Sequence, residues 1–144
     1  GSNTLVASAG IRDVALITRK LASVEPLGDG AYRIGAGVHL AKVAKLAADA
    51  GLAGGEFFVG IPGTLGGAVK MNAGAMGQET SEVVRQVLVY DLADHRLQWL
   101  PAEALGFAYR YSGIRPSRQL VLAADLAFRA GDAAESLRRM DENM

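Results

Sequence analysis

The sequence predicts an α+β fold, with a mixed sheet and flanking helices, and three observations lead to this class. Most of the chain consists of short apolar runs of strand length that are separated by turn residues. Only residues 38–50 and the segment from residue 132 onwards have the features of amphipathic helices. Strands and helices do not alternate regularly along the chain, as they would in a doubly wound α/β protein.

The N-terminal part of the chain predicts strands. Residues 5–7 and 14–18 are apolar runs separated by Ser8-Ala9-Gly10, so a strand, a turn and a second strand are expected. Residues 31–37 alternate in polarity and follow Gly28-Asp29-Gly30, which is typical of a hairpin turn.

Two helices are predicted. Over residues 38–50, apolar residues recur at the spacing i, i+3, i+4 and i+7, and Gly51 ends the helix. The residues on this face are Leu40, Val43, Ala44 and Ala47. The last helix begins at Asp132, where Glu135 follows at the spacing of a capping box, and it carries Leu137 and Met140.

Between these helices, three more strands are expected. Residues 83–91 and 96–100 are joined by a short polar turn and predict a second hairpin. Pro101 suits the first position of a short helical turn. Residues 120–128 are almost entirely apolar and predict a buried strand.

Composition excludes several classes of function. The chain has 144 residues, half of them hydrophobic, which suits one domain or one domain with part of another. Lys and Arg number 15, as do Asp and Glu, so no global field attracts nucleic acid or a membrane. Without cysteine, disulfides and thiolate metal sites are excluded. No apolar run approaches the roughly 20 residues of a membrane span. We therefore expect a cytoplasmic protein, and we predict no metal site.

Residues 60–79 are rich in glycine, yet apolar side chains interrupt the glycines, unlike in a flexible linker. Pro62-Gly63 predicts a defined turn, and Gly66-Gly67 predicts two consecutive amides that no Cβ shields. Thr64 adds a hydroxyl, and Asn72 with Gly74 predicts a second tight turn. Bare amides suit an anion such as phosphate, whereas the alternative is a buried crossover without a ligand. No helix or strand is predicted here.

Two other segments fit an anionic ligand. Gly1-Ser2-Asn3 is a turn whose amides and hydroxyl suit phosphate, although such tripeptides also occur as turn caps and cloning remnants. Residues 107–112 place Arg110 among three aromatic residues and before Ser112. An arginine held between aromatic faces suits a carboxylate, whereas the alternative is a solvated arginine beside a core Phe107.

Other polar residues have structural explanations. The G-x-G-x-x-G and G-x-x-x-x-G-K-[ST] motifs of nucleotide-binding proteins are absent from the sequence. His39 and His95 have no partner at ligand spacing and are expected at the surface. Glu56 is expected to accept hydrogen bonds beneath the glycine-rich block, and Trp99 is expected to pack within its hairpin.

Together, four motifs resemble the bacterial UDP-N-acetylenolpyruvoylglucosamine reductases, also called UDP-N-acetylmuramate dehydrogenases. They are GSN-x-LV, G-AG before a helix, GL-x-G-x-EFF-x-GIPGT-x-GGAV-x-MNAGA-x-G-x-E, and F-x-YR-x-S. The resemblance extends from Gly1 to about Asp141. It implies an FAD-binding domain of the vanillyl-alcohol-oxidase and CO-dehydrogenase flavoprotein (PCMH) type. Met76 departs from the family, which often has tyrosine there, and Gly55 stands where an apolar residue is common.

The resemblance implies a set of site residues. Gly1, Ser2 and Asn3 would end the first phosphate loop, and residues 61–68 would form the second wall of the FAD site. The implied FAD-binding residues are Gly1, Ser2, Asn3, Ile61, Pro62, Gly63, Thr64, Gly66, Gly67, Asn72, Ala73, Gly74, Gly77 and Val121. Arg110 matches the catalytic and substrate-binding arginine of the family, and Tyr109 its neighbour that faces the substrate.

The resemblance also implies a reaction. NADPH reduces FAD, which passes a hydride to UDP-N-acetylglucosamine enolpyruvate and yields UDP-N-acetylmuramate for peptidoglycan. Arg110 would stabilise the negative charge that develops on the adjacent carboxylate. The alternatives are a non-catalytic flavin-binding fragment and an oxidase with the same type of domain.

The chain starts without methionine and ends within a predicted helix, so we expect it to be part of a longer protein. The resemblance implies an N-terminally truncated FAD-binding domain over residues 1–131, and a helix over residues 132–144 that leads to a substrate-binding domain. That domain supplies the serine proton donor and a glutamate in the family, so neither Ser112 nor Glu56 is assigned to these roles. The fragment alone is expected to be inactive, and the parent enzyme to be a monomer.

Overall fold

A computed structural model describes residues 3–144, and it shows an α+β fold built on one five-stranded sheet. In chain order the elements are β1 (Val24–Gly28), β2 (Ala31–Gly35), α1 (Leu40–Asp49), β3 (Leu52–Ala53), α2 (Leu65–Met71), β4 (Gly74–Ala75), β5 (Gln78–Glu79), β6 (Val84–Asp91), β7 (Arg96–Pro101), β8 (Gln119–Ala127), β9 (Arg129–Ala130) and α3 (Ala133–Glu142). Short 3-10 helices lie at Thr18–Lys20, Glu56–Gly60, Thr80–Glu82 and Ala102–Leu105. None of the helices within residues 3–144 is long and apolar enough to cross a membrane.

The predicted α+β class is confirmed, but the main sheet is antiparallel rather than mixed. Its strands lie in the order β1-β2-β8-β6-β7, and every neighbouring pair is antiparallel. β2 and β6, which the helical segment connects, run in the same direction. They are not neighbours, however, because β8 lies between them and pairs with both.

Both predicted hairpins form. The turn between β1 and β2 has positive φ angles at Gly28, Asp29 and Gly30 (91°, 50° and 75°), which explains why two glycines are needed there. The turn between β6 and β7 ends at His95, whose φ is 53°. His95 is exposed, as predicted, and its Nδ1 lies 3.1 Å from the hydroxyl of Tyr90.

The hydrophobic core lies between one face of the sheet and the helices. Ile34, Ala124 and Leu126 are fully buried on this face, together with Val87 of β6. The predicted apolar face of α1 is buried against this core, and the helix is followed by Gly51 with a φ of 68°. α2 packs on β8 and β2, whereas α3 packs on α1 and on the 3-10 helix Glu56–Gly60.

The strands predicted for residues 5–7 and 14–18 do not form. Within residues 3–20 the only regular element is the 3-10 helix Thr18–Lys20. Leu5, Val14 and Ile17 are 98%, 87% and 83% exposed. A strand needs a neighbour for its backbone hydrogen bonds, and no segment in the described part of the chain supplies one for these runs.

The prediction of no regular structure in residues 60–79 was also wrong. Residues 65–71 form α2, and β4 and β5 form a tight hairpin around Met76 and Gly77, whose φ angles are 54° and 76°. Leu65, Ala68 and Val69 fall at helical spacing and are all buried. The low helix propensity of glycine obscured this pattern, and burial of the apolar face overcame that propensity.

The last helix begins as predicted, because the side chain of Asp132 accepts a hydrogen bond from the backbone amide of Glu135 at 2.8 Å. Met140 is buried, but Leu137 is 39% exposed. One contact of this helix was not predicted: the hydroxyl of Ser136 donates a hydrogen bond to a carboxylate oxygen of Glu56 at 2.8 Å. α3 is therefore joined to the segment that precedes the glycine-rich block.

A polar cluster lies on the sheet face opposite the core. Arg33 donates two hydrogen bonds to Asp125, at 2.8 and 2.9 Å, and Gln86 donates a third at 2.7 Å. The guanidinium carbon lies 4.3 Å from the ring centre of Trp99, which is half-buried and contacts β2 here rather than only its own hairpin. Burial alone would raise the pKa of Asp125, but the hydrogen bonds from Arg33 and Gln86 lower it overall.

We expect Arg33→Met to lower the free energy of unfolding by about 2–3 kcal/mol at neutral pH, because it leaves a buried carboxylate without its cation. Arg33 lowers the native pKa of Asp125, so the pairing stabilises the fold above the unfolded pKa of the carboxyl and is lost as the pH falls through the native pKa. The difference between wild type and variant should therefore shrink in acid. Urea unfolding at neutral and acidic pH measures it.

Lys45→Met is the matched control, because Lys45 forms an exposed ion pair with Asp49. That variant should change stability by at most about 0.5 kcal/mol. A difference for Arg33→Met that is equally large at all pH values would contradict the role assigned to the Asp125 charge.

Candidate functional site

The candidate site is built around the loop of residues 61–64, which the start of α1 holds in place. The carbonyl of Gly63 accepts a hydrogen bond from the amide of Leu40 at 3.1 Å, and Thr64 forms a backbone bridge with His39. Gly63 has a φ of 131°, as the predicted turn requires. On the outer side, the side-chain amide of Asn3 donates to the carbonyl of Pro62 at 3.1 Å. The N-terminal segment and the loop therefore meet here.

Gly66 and Gly67 have different roles. The amides of Leu65 and Gly66 donate to the carbonyls of Val38 and Ala36, each at 2.9 Å. A Cβ on Gly66 would lie 3.0 Å from the Cβ of Ala36, so this glycine permits close packing of α2 against the end of β2. A Cβ on Gly67 would meet nothing within 4 Å, and within residues 3–144 its amide has no protein acceptor. The prediction of two free consecutive amides is therefore right only for Gly67.

Two clefts meet at Gly67. The first, which we call the apolar cleft, has a volume of about 490 Å³. Its main lining residues are Leu16, Ile17, Leu21, Ile114, Leu120 and Val121. The second, which we call the polar cleft after the polar side chains at its rim, has a volume of about 320 Å³ and lies over the loop. It is lined by polar and apolar residues: Asn3, Thr4, Thr64 and Arg110, together with Leu40, Ile61, Pro62, Gly63, Gly67, Ala68, Met71 and Ala73.

A third cleft, the hairpin cleft, shares Arg110 with the polar cleft and has a volume of about 460 Å³. It lies between the β4–β5 hairpin and the turn of residues 108–111. Arg110 is exposed, and its φ of 56° is unusual for a residue other than glycine. In residues 3–144 its guanidinium forms no ion pair with a protein carboxylate.

Of the two alternatives for Arg110, the arginine held between aromatic faces does not form. Tyr109 is 85% exposed and Tyr111 is 54% exposed. The cation over an aromatic ring in this region is Lys70, whose Nζ lies 5.7 Å from the ring centre of Tyr111.

Asn72 is 1% exposed, and its side chain is committed to protein partners. Its amide nitrogen donates to Glu79 at 2.8 Å and to the carbonyl of Ala108 at 3.0 Å, while its oxygen accepts from the amide of Ser81 at 2.9 Å. The donors of the amide are thus used, and a cofactor can be contacted here only by backbone or neighbouring atoms.

The predicted site residues that lie in the described part of the chain all line one of these three adjoining clefts. Asn3, Ile61, Pro62, Gly63, Thr64, Gly67, Ala73 and Arg110 line the polar cleft. Gly66, Gly67 and Val121 line the apolar cleft, and Asn72, Gly74, Gly77, Tyr109 and Arg110 line the hairpin cleft. Gly1 and Ser2 lie outside the described residues. The binding of FAD by these individual residues stays a prediction.

Sequence reasoning missed Lys70, which lines the apolar cleft three residues after Gly67. This spacing places the two residues on the same side of α2. The pattern was therefore visible in the sequence, but it had no meaning while the segment was predicted to be irregular. Thr18 in the same cleft was missed because residues 14–18 were predicted as a strand, and Lys20, two residues later, was given no role.

Glu56 accepts structural hydrogen bonds, as expected, and Ser112 is buried. Glu56 accepts hydrogen bonds from the amide of Gly54 at 2.7 Å and from the hydroxyl of Ser136 at 2.8 Å. Burial raises the pKa of Glu56, but these hydrogen bonds outweigh it, so the pKa lies below its ordinary value. Ser112 is 1% exposed and donates to the carbonyl of Lys70 at 2.7 Å. Across residues 3–144, no group of three His, Asp or Glu side chains is placed to hold a metal.

Comparison with known proteins gives relatives for this arrangement. A family model described as an FAD binding domain matches residues 1–100. The chain is similar to the UDP-N-acetylenolpyruvoylglucosamine reductase of Caulobacter sp. (strain K31), with 40% identity over 143 residues that cover 99% of this chain and 46% of that protein. The protein of the same name from Heliobacterium modesticaldum is 40% identical over 144 residues, which cover 100% of this chain and 46% of that protein.

A solved structure is similar as well. The crystal structure of the UDP-N-acetylenolpyruvylglucosamine reductase from Thermus caldophilus matches with a TM-score of 0.70 and 39% identity, covering 77% of this chain and 41% of that chain. The match to the FAD-binding family model places this α+β domain in the flavoprotein class. The chain belongs to the FAD-binding domain family. The predicted resemblance to UDP-N-acetylenolpyruvoylglucosamine reductases is confirmed, and the chain spans a little under half the length of these curated relatives.

Replacing each of the paired glycines by alanine should separate packing from ligand binding. Gly66→Ala should lower the free energy of unfolding by about 1–3 kcal/mol, because its methyl group would overpack Ala36. Gly67→Ala should leave stability unchanged or raise it by about 0.5–1 kcal/mol, because its methyl group meets open space within a helix. The same methyl group should weaken FAD binding about tenfold, because it enters the junction of two clefts.

Urea unfolding without ligand and titration by flavin fluorescence measure these two effects. Each variant serves as the control for the other, since they differ by one position in the same helix. A Gly67→Ala protein that is as stable as wild type and binds FAD equally well would contradict the prediction that Gly67 contacts FAD.

Proposed function

We propose that this chain is the FAD-binding part of an enzyme that reduces UDP-N-acetylglucosamine enolpyruvate to UDP-N-acetylmuramate with NADPH, in the synthesis of peptidoglycan precursors. The observation that carries the proposal is Arg110, an exposed arginine in the left-handed conformation at the shared wall of the polar and hairpin clefts. The names of the relatives and the membership of the FAD-binding family support it.

The clefts fit the shape and chemistry of FAD. A flat ring needs an apolar slot, and a pyrophosphate needs backbone amides and hydroxyls without bulky side chains. The apolar cleft supplies the slot, and the polar cleft supplies Thr64 with the turn at Gly63. The two clefts meet at Gly67, where no Cβ fills the space between them. We therefore place the pyrophosphate across Gly67, between the two clefts.

The position of Arg110 supports one of the two possible orientations of the cofactor. Arg110 lines the polar and hairpin clefts but not the apolar cleft. A residue that acts on the reacting substrate must be near the isoalloxazine, so the isoalloxazine belongs on the side of Arg110. The adenine then occupies the apolar cleft, where it would contact Val121 and Leu21.

Bound FAD supplies the hydride chemistry, and the protein supplies orientation and charge. When hydride adds to the vinyl ether, the neighbouring carboxylate of the substrate takes on additional negative charge. A fixed guanidinium at Arg110 would stabilise that charge, and a preorganised donor of this kind lowers a barrier by about 3–4 kcal/mol. Tyr109 lies beside Arg110 on the hairpin cleft and would face the substrate.

The proton that completes the reduction has to come from another group. Ser112 is buried and donates its hydrogen to the carbonyl of Lys70, and Glu56 is buried among structural donors. We propose that a substrate-binding domain supplies the proton donor. In this proposal residues 1–131 form the FAD-binding domain, and residues 132–144 lead to the second domain.

The proposed setting follows from the same reaction. A UDP-linked sugar and NADPH are water-soluble metabolites, so we place the enzyme in the cytoplasm. The resemblance to the reductase family implies that it acts as a monomer. Neither nucleic acid nor a membrane is a proposed partner. The equal numbers of basic and acidic residues, 15 each, support this assignment.

Arg110→Lys in the complete polypeptide should lower turnover about 10²–10³-fold, because the ammonium group cannot reproduce the planar fork of the guanidinium. Affinity for FAD should be retained. The measurements are NADPH oxidation in the presence of UDP-N-acetylglucosamine enolpyruvate and titration with FAD.

Arg96→Lys, in the β6–β7 hairpin outside the three clefts, is the control and should turn over like wild type. Near-normal turnover of Arg110→Lys would show that Arg110 does not have this role. Oxygen consumption with an alcohol substrate and without NADPH would instead indicate an oxidase.

A further inference from the structure

The turn that carries Arg110 is attached to the end of α2 on both of its sides. Before Arg110, the carbonyl of Ala108 accepts a hydrogen bond from the side-chain amide of Asn72 at 3.0 Å. After it, the hydroxyl of Ser112 donates to the carbonyl of Lys70 at 2.7 Å. Lys70 is the last residue but one of α2, and Asn72 is its C-terminal cap. The two hydrogen bonds thus bracket the turn against one helix end.

The orientation of the Asn72 amide is determined by its partners. Its nitrogen faces two acceptors, Glu79 and the carbonyl of Ala108, while its oxygen faces the amide of Ser81, which is a donor. Exchange of oxygen and nitrogen would break all three hydrogen bonds. Glu79 is itself held by the capping box of the 3-10 helix Thr80–Glu82. The β4–β5 hairpin therefore fixes the amide that holds the turn.

The backbone of the turn needs such support. Arg110 has a φ of 56°, a conformation that a residue with a long side chain seldom adopts. Within the turn itself, the amides of Ala108 and Tyr111 donate to each other's carbonyls, at 3.1 and 3.0 Å. Backbone strain of this kind persists where surrounding contacts over-determine it, and it is concentrated at functional sites.

We propose that Asn72 and Ser112 are positioning residues for Arg110. They hold the turn of residues 108–111 in the left-handed conformation that presents the guanidinium at the wall between the polar and hairpin clefts. This inference rests on the proposed role of Arg110. It assigns the Asn72 side chain to the arginine turn and leaves contact with FAD to the backbone near Gly67.

Thr80 provides a matched control for a purely structural effect. It is fully buried at the start of the 3-10 helix Thr80–Glu82, which follows the β4–β5 hairpin, and its hydroxyl donates to the carbonyl of Ala73 at 2.7 Å. Its side chain makes no hydrogen bond to the arginine turn. Thr80→Val therefore removes one buried hydrogen bond of similar length without touching the two bonds that hold Arg110.

The first experiment measures the turn in the chain as it stands, without ligand. Asn72→Gly keeps a residue that adopts the left-handed conformation readily, so it removes the side-chain amide and its three hydrogen bonds without straining the backbone. Ser112→Ala removes the hydroxyl. Each variant takes one hydrogen bond from the attachment of the turn, so the exchange of the Tyr111 amide hydrogen should accelerate about tenfold relative to the core amides. Thr80→Val should leave that ratio unchanged. An unchanged ratio in both Asn72→Gly and Ser112→Ala would overturn the proposal.

The second experiment is a double-mutant cycle on turnover of the complete polypeptide. Asn72→Gly and Ser112→Ala should each lower kcat about tenfold, with the Kd for FAD and the KM changed less than about twofold. In an Arg110→Ala background the same substitutions should change kcat less than about twofold, because the group they position is absent. The positioning role would be overturned if the substitutions lowered kcat as much in the Arg110→Ala background as in wild type, or if they reduced the affinity for FAD.

The two proposals fail in different ways. Unchanged turnover in Arg110→Ala alone would overturn the proposed role of Arg110 and, with it, the catalytic purpose of the two hydrogen bonds. Hydrogen exchange at Tyr111 does not depend on any reaction. It therefore separates two outcomes. In one, the two hydrogen bonds do not hold the turn. In the other, they hold the turn, but Arg110 does not have the proposed role.

Discussion

The close approach of α2 to the end of β2 is the contact on which the candidate site depends. The amides of Leu65 and Gly66 donate to the backbone of residues 36 and 38, and the absence of a Cβ at Gly66 lets the helix lie against Ala36. Because the helix is seated there, its third residue, Gly67, opens onto both the apolar and the polar clefts. Its far end then carries the two attachment points of the turn at Arg110. This one packing contact thus positions both the junction of the clefts at Gly67 and the turn at Arg110.

The sheet supplies the rigid support for this arrangement. β8 lies at the centre of the sheet and pairs with β2 and β6. Its first residues line the apolar cleft. On the opposite face the hydrogen-bonded pair of Arg33 and Asp125 joins β2 to β8. The candidate functional residues themselves lie on turns and at helix ends, which is where binding groups are commonly placed on a rigid scaffold.

The two glycines show why a glycine-rich sequence has more than one physical meaning. Loop chemistry alone predicts bare amides for an anion at both Gly66 and Gly67. In the fold, Gly66 is used for helix–strand contact and Gly67 alone faces open space. Likewise, Asn72 looks like a ligand-binding amide in sequence, but its hydrogen bonds connect the end of α2, the β4–β5 hairpin and the arginine turn. Membership of the FAD-binding family, which local chemistry could not show, identifies the anionic ligand.

The sequence by itself determined the elements whose cause is local. The helical period of α1, the glycines of the β1–β2 turn and the Asp132 cap all operate over a few residues, and each predicted element formed. Only the tertiary structure decided the rest. α2 forms because burial of its apolar face against the sheet outweighs the poor helix propensity of its glycines. Residues 5–7 and 14–18 are not strands, because a strand depends on a partner that local sequence does not specify. The hydrogen bond from Asn72 to Ala108 joins residues 36 positions apart, so no pattern within either segment could reveal it.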